Sequence, residues 1–204
     1  MKPNLFKEQK TIESSSISTP RYGSEMDNAG ILFIDANNWY HNLKKYYNNN
    51  KVSIKNISNY LSKKLNINII EIRWYTSIPD IEENEEIYFK HLKFLEDLKK
   101  KGIQIITRKL QKLKIKGQTI FKEKGIDVWI AVDIIRLSLI EKKCNKVVLI
   151  SGDADFVPAL ELISKNKISV ISSSVPKGYS YELRTKFPYI TLNKEILDSI
   201  IKNN

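Results

Sequence analysis

With 204 residues the chain is long enough to bury a substantial core and is best read as one domain preceded by a tail. Its 42% hydrophobic share is scattered over short runs, none near the roughly 20 residues of a membrane-spanning helix, and a single cysteine, Cys144, excludes an intramolecular disulfide. The first ten residues lack the apolar core of a secretory signal, so a soluble protein of the reducing cytoplasm is expected. The 34 Lys and Arg set against 23 Asp and Glu leave a formal charge of +11, a field that attracts polyanions such as nucleic acid.

Residues 1–29 are polar, contain Ser14-Ser15-Ser16 and Thr19-Pro20, and show no hydrophobic period; they are expected to form a flexible arm ahead of a domain spanning 30–204. Ile31 to Ile34 is an apolar run of the kind a doubly buried parallel strand needs, and Asp35 stands at its carboxyl end. Asn37 and Asn38 are placed to cap a helix through Trp39, Leu43 and Tyr46, and a second helix is expected after Ser53 with Ile54, Ile57, Tyr60, Leu61 and Leu65 on one face. Ile69 to Ile78 follows as a strand. A long helix is expected from about Glu82 to Lys101, with Ile87, His91, Phe94, Leu95 and Leu98 inward and Gly102 as its stop.

Ile103 to Thr107 is the next expected strand. Lys109 to Phe121 reads as a basic hairpin or extended loop turning at Lys116-Gly117. A helix over about 126–142 leads to the apolar strand Val147 to Ile150 and the turn Ser151-Gly152-Asp153. A helix through Leu160 and Ile163, a strand Ile168 to Ile171, a short helix near Tyr181, a strand Tyr189 to Leu192 and a last helix complete the chain. Strands and helices alternating at this length predict an α/β fold, a parallel sheet covered on both faces.

In such sheets ligands collect beyond the carboxyl ends of the strands, where Asp35 and Asp153 stand. Asp155 opens the next helix, where backbone amides favour a negative charge. Any one of these aspartates has an ordinary alternative role as a helix N-cap. Gathered at one edge, however, carboxylates repel one another unless a cation neutralises them, and an all-oxygen site suits Mg²⁺ or Mn²⁺. Asp127 and Asp133 share one helix but point roughly 120° apart, so both cannot face the site equally. Asp127, in the first turn, is the better ligand; Asp133, among Val132, Ile134 and Ile135, needs a partner and suits a supporting or helix-packing role.

Three segments carry a resemblance to the NYN domain, the branch of the PIN-like nucleases that includes the LabA-like bacterial proteins. They are Leu32-Phe33-Ile34-Asp35-Ala36-Asn37-Asn38, Lys124-Gly125-Ile126-Asp127-Val128 with Asp133, and Ser151-Gly152-Asp153-Ala154-Asp155-Phe156-Val157-Pro158. The likeness runs from about Gly30 to Leu192. It implies a PIN-like three-layer α/β/α sandwich with a mainly parallel central sheet, and a Mg²⁺- or Mn²⁺-dependent endoribonuclease that hydrolyses RNA with Asp35, Asp127, Asp153 and Asp155 as catalytic and metal-holding acids. By the same likeness Asn38 orients the first carboxylate and Ser151 supports the third. The chain departs from the family pattern at Ala36, where Gly is usual, and at Phe187, where an acidic residue is usual.

The densest basic stretch, Arg108, Lys109, Lys112, Lys114 and Lys116, precedes the Asp127 segment and suits tracking of an RNA phosphate chain; a solvated charged face is the plainer reading. Lys124 is suited either to a phosphate or to a neighbouring aspartate. Trp39, Tyr40, Trp74 and Tyr75 are candidates for stacking on bases, with burial in the core as the commoner fate. His41, His91 and Cys144 stand at no metal-ligand spacing and are expected to be structural. The partner expected is single-stranded RNA, with no membrane; the oligomeric state is left open, a homodimer included. The rival to the nuclease is an NYN module that keeps its metal site but acts as an RNA-binding or regulatory protein with little turnover.

Overall fold

The computed structural model describes residues 28–47, 52–115, 118–122 and 124–202. The expected arm lies, up to residue 27, outside the described residues. Strand β1 (Ala29–Asp35) is buried along its whole length. Its alternating side chains divide the core: Ile31 and Phe33 enter one apolar cluster, Leu32 and Ile34 the other. Helices α1 (Ala36–Tyr46), α2 (Ile54–Leu65), α3 (Glu85–Lys100) and α7 (Lys194–Lys202) cover one face. Helices α4 (Ile126–Ile135), α5 (Val157–Lys165) and α6 (Tyr181–Lys186) cover the other, which makes three layers.

The sheet between them has six strands in the order β3-β2-β1-β6-β7-β8, every neighbouring pair parallel: β2 (Asn68–Ile78), β3 (Gln104–Lys109), β6 (Lys146–Ile150), β7 (Ser169–Ser174) and β8 (Tyr189–Thr191). The expected basic hairpin is present as β4 (Gln111–Ile115) and β5 (Gln118–Lys122), an antiparallel pair outside the main sheet; its turn at 116–117 lies outside the described residues. Among the described residues no helix is long and apolar enough to cross a membrane.

Several local expectations are corrected. Asp35, not Asn37 or Asn38, caps α1 by accepting from the Asn38 amide at 3.2 Å, because the helix starts directly at the end of β1. Helix α3 begins at Glu85, capped by Asn84, and buries only Leu95 and Leu98; Ile87 and Phe94 are exposed, because the edge strand β3 beneath is itself only partly covered. The helix after Gly125 passes into a π-helical turn at Arg136–Ile140, where buried Ser138 donates to the Ile134 carbonyl at 2.6 Å. Strand β7 runs on through Ser172, Ser173 and Ser174, buried yet satisfied by carbonyls of Leu183, Ile190 and Gly178. Trp39, Trp74 and Tyr75 are buried, which removes them as base-stacking candidates; only Tyr40 is exposed.

Helix α4 is tied to the sheet by a buried charge network. Asp133 accepts from Arg73 at 2.9 Å, from the Tyr75 hydroxyl at 2.8 Å and from Arg136 at 2.7 Å. Burial pushes the Asp133 carboxyl up, but the bonds from Arg136 and Tyr75 and the two guanidinium charges outweigh it and hold the group below the usual carboxylate range. Burial pushes the Tyr75 phenol up, so it stays a protonated donor. The stability contributed by a depressed carboxyl is present above the ordinary value near 4 and is lost as pH falls through the depressed one. Asp133→Asn, which leaves Arg73 with Glu71 and Arg136 with Glu141 but removes the charge between them, is therefore expected to cost about 1.5–3 kcal/mol at pH 7 and markedly less at pH 3. Urea unfolding of both proteins at the two pH values measures this; an equal deficit at both would remove the charge network as the cause.

Candidate functional site

From β1 the chain steps outward through β2 to β3, then returns to the other side of β1 and steps outward again through β6, β7 and β8. The boundary between β1 and β6 is thus a topological switch point, where connections leave in opposite directions and a crevice opens at the carboxyl edge. Asp35 and Ser151 stand at that point, one on each strand, just past the last paired residues Ile34 and Ile150. Both are buried.

A run of hydrogen bonds links the acids across the crevice. The Ser151 hydroxyl donates to Asp35 Oδ2 at 2.9 Å and accepts from the Asp153 amide at 3.1 Å. Asp153 in turn caps the short 3₁₀ turn Ala154–Phe156 by accepting from the Asp155 amide at 2.9 Å. Asn38 places its amide on Asp35 and its side-chain oxygen on the Gly152 amide at 2.9 Å, and it also accepts from Asn42 at 2.9 Å. The N-cap role and the place in the acidic cluster therefore coincide for Asp35 and Asp153.

Asp127 comes from the opposite layer. Gly125, at φ +84°, turns the chain into α4, and Asp127 sits half-buried in the first turn. Burial raises its pKa, and the charges of Asp153 and Asp155 raise it further. Asp155 is exposed and Asp35 almost fully enclosed, so the acids are graded from solvent into the sheet.

Among the described residues no three acids, histidines or cysteines form a ready-made ligand set. The donors are nevertheless all oxygen, they repel one another, and Mg²⁺ or Mn²⁺ commonly takes one or two carboxylates and keeps several waters. The residues present fit a partly hydrated ion of that kind.

The other candidates separate. Asp133 spends both oxygens on Arg73, Tyr75 and Arg136 and turns to the sheet rather than to Asp153. Lys124 has an exposed side chain, while its carbonyl accepts from Arg108 at 3.2 Å. Arg108 and Lys109 lie exposed at the carboxyl end of β3; the side chains of Lys112 and Lys114, and Lys116 as a whole, lie outside the described residues. His41 is exposed against Tyr40, burial lowers the pKa of His91, and burial pushes the Cys144 thiol up to about 11. Phe187 belongs to the core beside Leu183.

Sequence reasoning missed one contact that shapes the edge. A Cβ on Gly152 would lie 1.6 Å from the Gly178 carbonyl oxygen and 3.1 Å from Tyr179 Cα. The acidic turn thus rests directly on the loop after β7, and Asn42 bridges Asn38 to Gly178. The two glycines are 26 positions apart, and no spacing rule announces such a meeting.

The family model described as NYN domain matches residues 31–192. The low amplitude and bright protein LabA of Synechococcus elongatus is 26% identical over 165 residues, covering 79% of this chain and 82% of its own length. The phage T5 5′-exonuclease with bound zinc ions resembles the structure at 18% identity with a TM-score of 0.41. The bacteriophage T5 flap endonuclease, in a pseudo-enzyme–product complex with DNA and metal ions, does so at 18% and 0.38. Each likeness covers 70% of this chain, which spans about half the length of those two proteins, 55% and 54%.

Gly152→Ala is expected to cost about 1–3 kcal/mol in stability, because the new methyl meets backbone rather than a movable side chain. It should also weaken divalent-ion binding by displacing Asp153. Thermal melts and Mn²⁺ titration check both effects; unchanged values in both would show that the loops separate without consequence.

Proposed function

The chain belongs to the NYN domain family, and on that footing we propose that it is a metal-dependent endoribonuclease that hydrolyses phosphodiester bonds of single-stranded RNA. The observation that carries this reading is the hydrogen-bonded run from Asp35 through Ser151 to Asp153 and Asp155, with Asp127 facing it, at the switch point of the sheet. A divalent ion, Mg²⁺ or Mn²⁺, would supply Lewis acidity to the phosphodiester and to a water molecule. Asp35, Asp127, Asp153 and Asp155 would hold it.

The chain's own groups support water rather than a side chain as the nucleophile. Ser151 is a hydroxyl in the crevice, yet it is buried, with its O–H directed to Asp35 and a lone pair taken by the Asp153 amide, so it has no open approach to a phosphate. Its work is to keep two carboxylates in register. Asn38 does the same for the turn that carries Asp153. Lys124, exposed before α4, and Arg108 and Lys109 at the end of β3 add positive charge on the flank where a phosphate chain would lie.

Cleavage of labelled single-stranded RNA with Mn²⁺ tests the reading. Cutting is expected to stop with EDTA and with Asp153→Asn, and to fall about 10- to 100-fold with Ser151→Ala, which leaves the ligands present but unsupported. A wild-type protein that binds Mn²⁺ and RNA but cuts nothing would instead be a regulatory RNA-binding module.

A further inference from the structure

Of the four described arginines, Arg73 and Arg136 are spent on Asp133. The other two, Arg108 and Arg184, make no ion pair among the described residues. Each instead lies over an aromatic ring beside the acidic edge. The Arg108 guanidinium is 5.0 Å from the centre of the Trp129 ring, and that of Arg184 is 4.8 Å from the centre of the Tyr179 ring and donates to its hydroxyl at 2.7 Å.

Both stacks are held in place by the site itself. A Cβ on Gly125 would fall 2.3 Å from Arg108 Nη1, so the glycine that starts α4 also makes room for the arginine, two residues before Asp127. At the other end Tyr179 abuts Gly152, one residue before Asp153, and is braced edge-on by Tyr189 at 5.7 Å. Arg108 and Lys124 add positive charge at the amino end of α4, where the backbone amides also favour an anion.

We infer that these two arginine–aromatic stacks are a pair of platforms that grip a single-stranded nucleic acid on either side of the acidic cluster, each taking an unstacked base on its ring and a phosphate on its arginine. The strand order places β3 and β7, whose carboxyl ends carry Arg108 and the Tyr179 loop, four strand spacings apart, about 19 Å. The acids lie between them, so a strand crossing from one platform to the other passes over Asp127 and Asp153. A duplex keeps its bases stacked inward and offers nothing to either ring. The inference deepens the nuclease reading and rests on it for the choice of substrate class.

The test measures binding in EDTA, apart from any cutting, by fluorescence anisotropy with a labelled single-stranded RNA and with a duplex of the same sequence. Trp129→Ala and Tyr179→Leu are each expected to weaken single-strand binding about 5- to 150-fold, the equivalent of one stacked base, and to change duplex binding little. Trp129→Phe and Tyr179→Phe, which keep a ring, should retain most of the affinity. Trp39 and Trp74 are buried whereas Trp129 is 39% exposed, so single-stranded RNA should quench tryptophan emission in the wild type and not in Trp129→Phe. Unchanged affinity in variants that circular dichroism shows to be folded, or equal losses on single strand and duplex, would overturn the platforms. Normal binding by the platform variants with cleavage still abolished by Asp153→Asn would leave the nuclease reading standing alone. Lost binding in the variants of a wild type that cuts nothing with Mn²⁺ would leave the platforms standing alone.

Discussion

One hydroxyl holds the two halves of the sheet's carboxyl edge together. Ser151 extends the β1–β6 ladder one rung beyond its last backbone pair by donating a hydrogen bond to Asp35, and its oxygen accepts one from the amide of Asp153. Without that rung the first and third acids would belong to separate loops that diverge from the switch point. With it, the position of Asp153 is set from β1 as much as from β6, and the Asn38 bond to Gly152 repeats the tie from the helix side.

The chain manages its carboxylates in two different ways. At the edge, Asp35 and Asp153 are satisfied by amides at the starts of helical turns, and Asp127 sits in the first turn of α4; amides and dipoles ease a negative charge without cancelling it. Asp133 is instead matched by guanidinium groups and a phenol, which neutralise it and bind α4 to the sheet. The edge carboxylates are thus held in place by amides, while Asp133 serves the fold. Two aspartates six residues apart on one element thus meet opposite surroundings, one among carboxylates and the other among guanidinium groups.

Much of this was legible in the residues. The apolar runs of β1 and β6 mark buried parallel strands, and Asp35 directly after the first and Asp153 after the turn Ser151-Gly152 mark the edge. The hairpin at 111–122 and the divergence of Asp127 from Asp133 also follow from pattern and helix geometry. What escaped depends on contacts between distant segments. The serines of β7 look like a loop because their hydroxyls find carbonyls only in the folded chain. The outer residues of α3 look like a core face because sequence does not say that β3 is an edge. Asn38 has the right residue type for a cap, but Asp35 reaches the amide first. Trp129 and Tyr179 stand in stretches that carry no aromatic pattern; their distinction is the arginine each meets in space.

The same switch point that creates the crevice makes it a late product of chain assembly. Asp35 and Ser151 are 116 positions apart, and the pairing of β1 with β6 closes a loop that contains β2, β3, the basic hairpin and four helices. Contacts of such high contact order form only after that closure entropy has been met, and a parallel neighbour cannot be supplied by a local turn. During synthesis β1 waits with one side unpaired until β6 has left the ribosome, so a chain that ends before β6 contains at most Asp35 and Asp127, without Asp153 and Asp155. A protein truncated anywhere before residue 155 carries part of the residue set and none of the assembled centre.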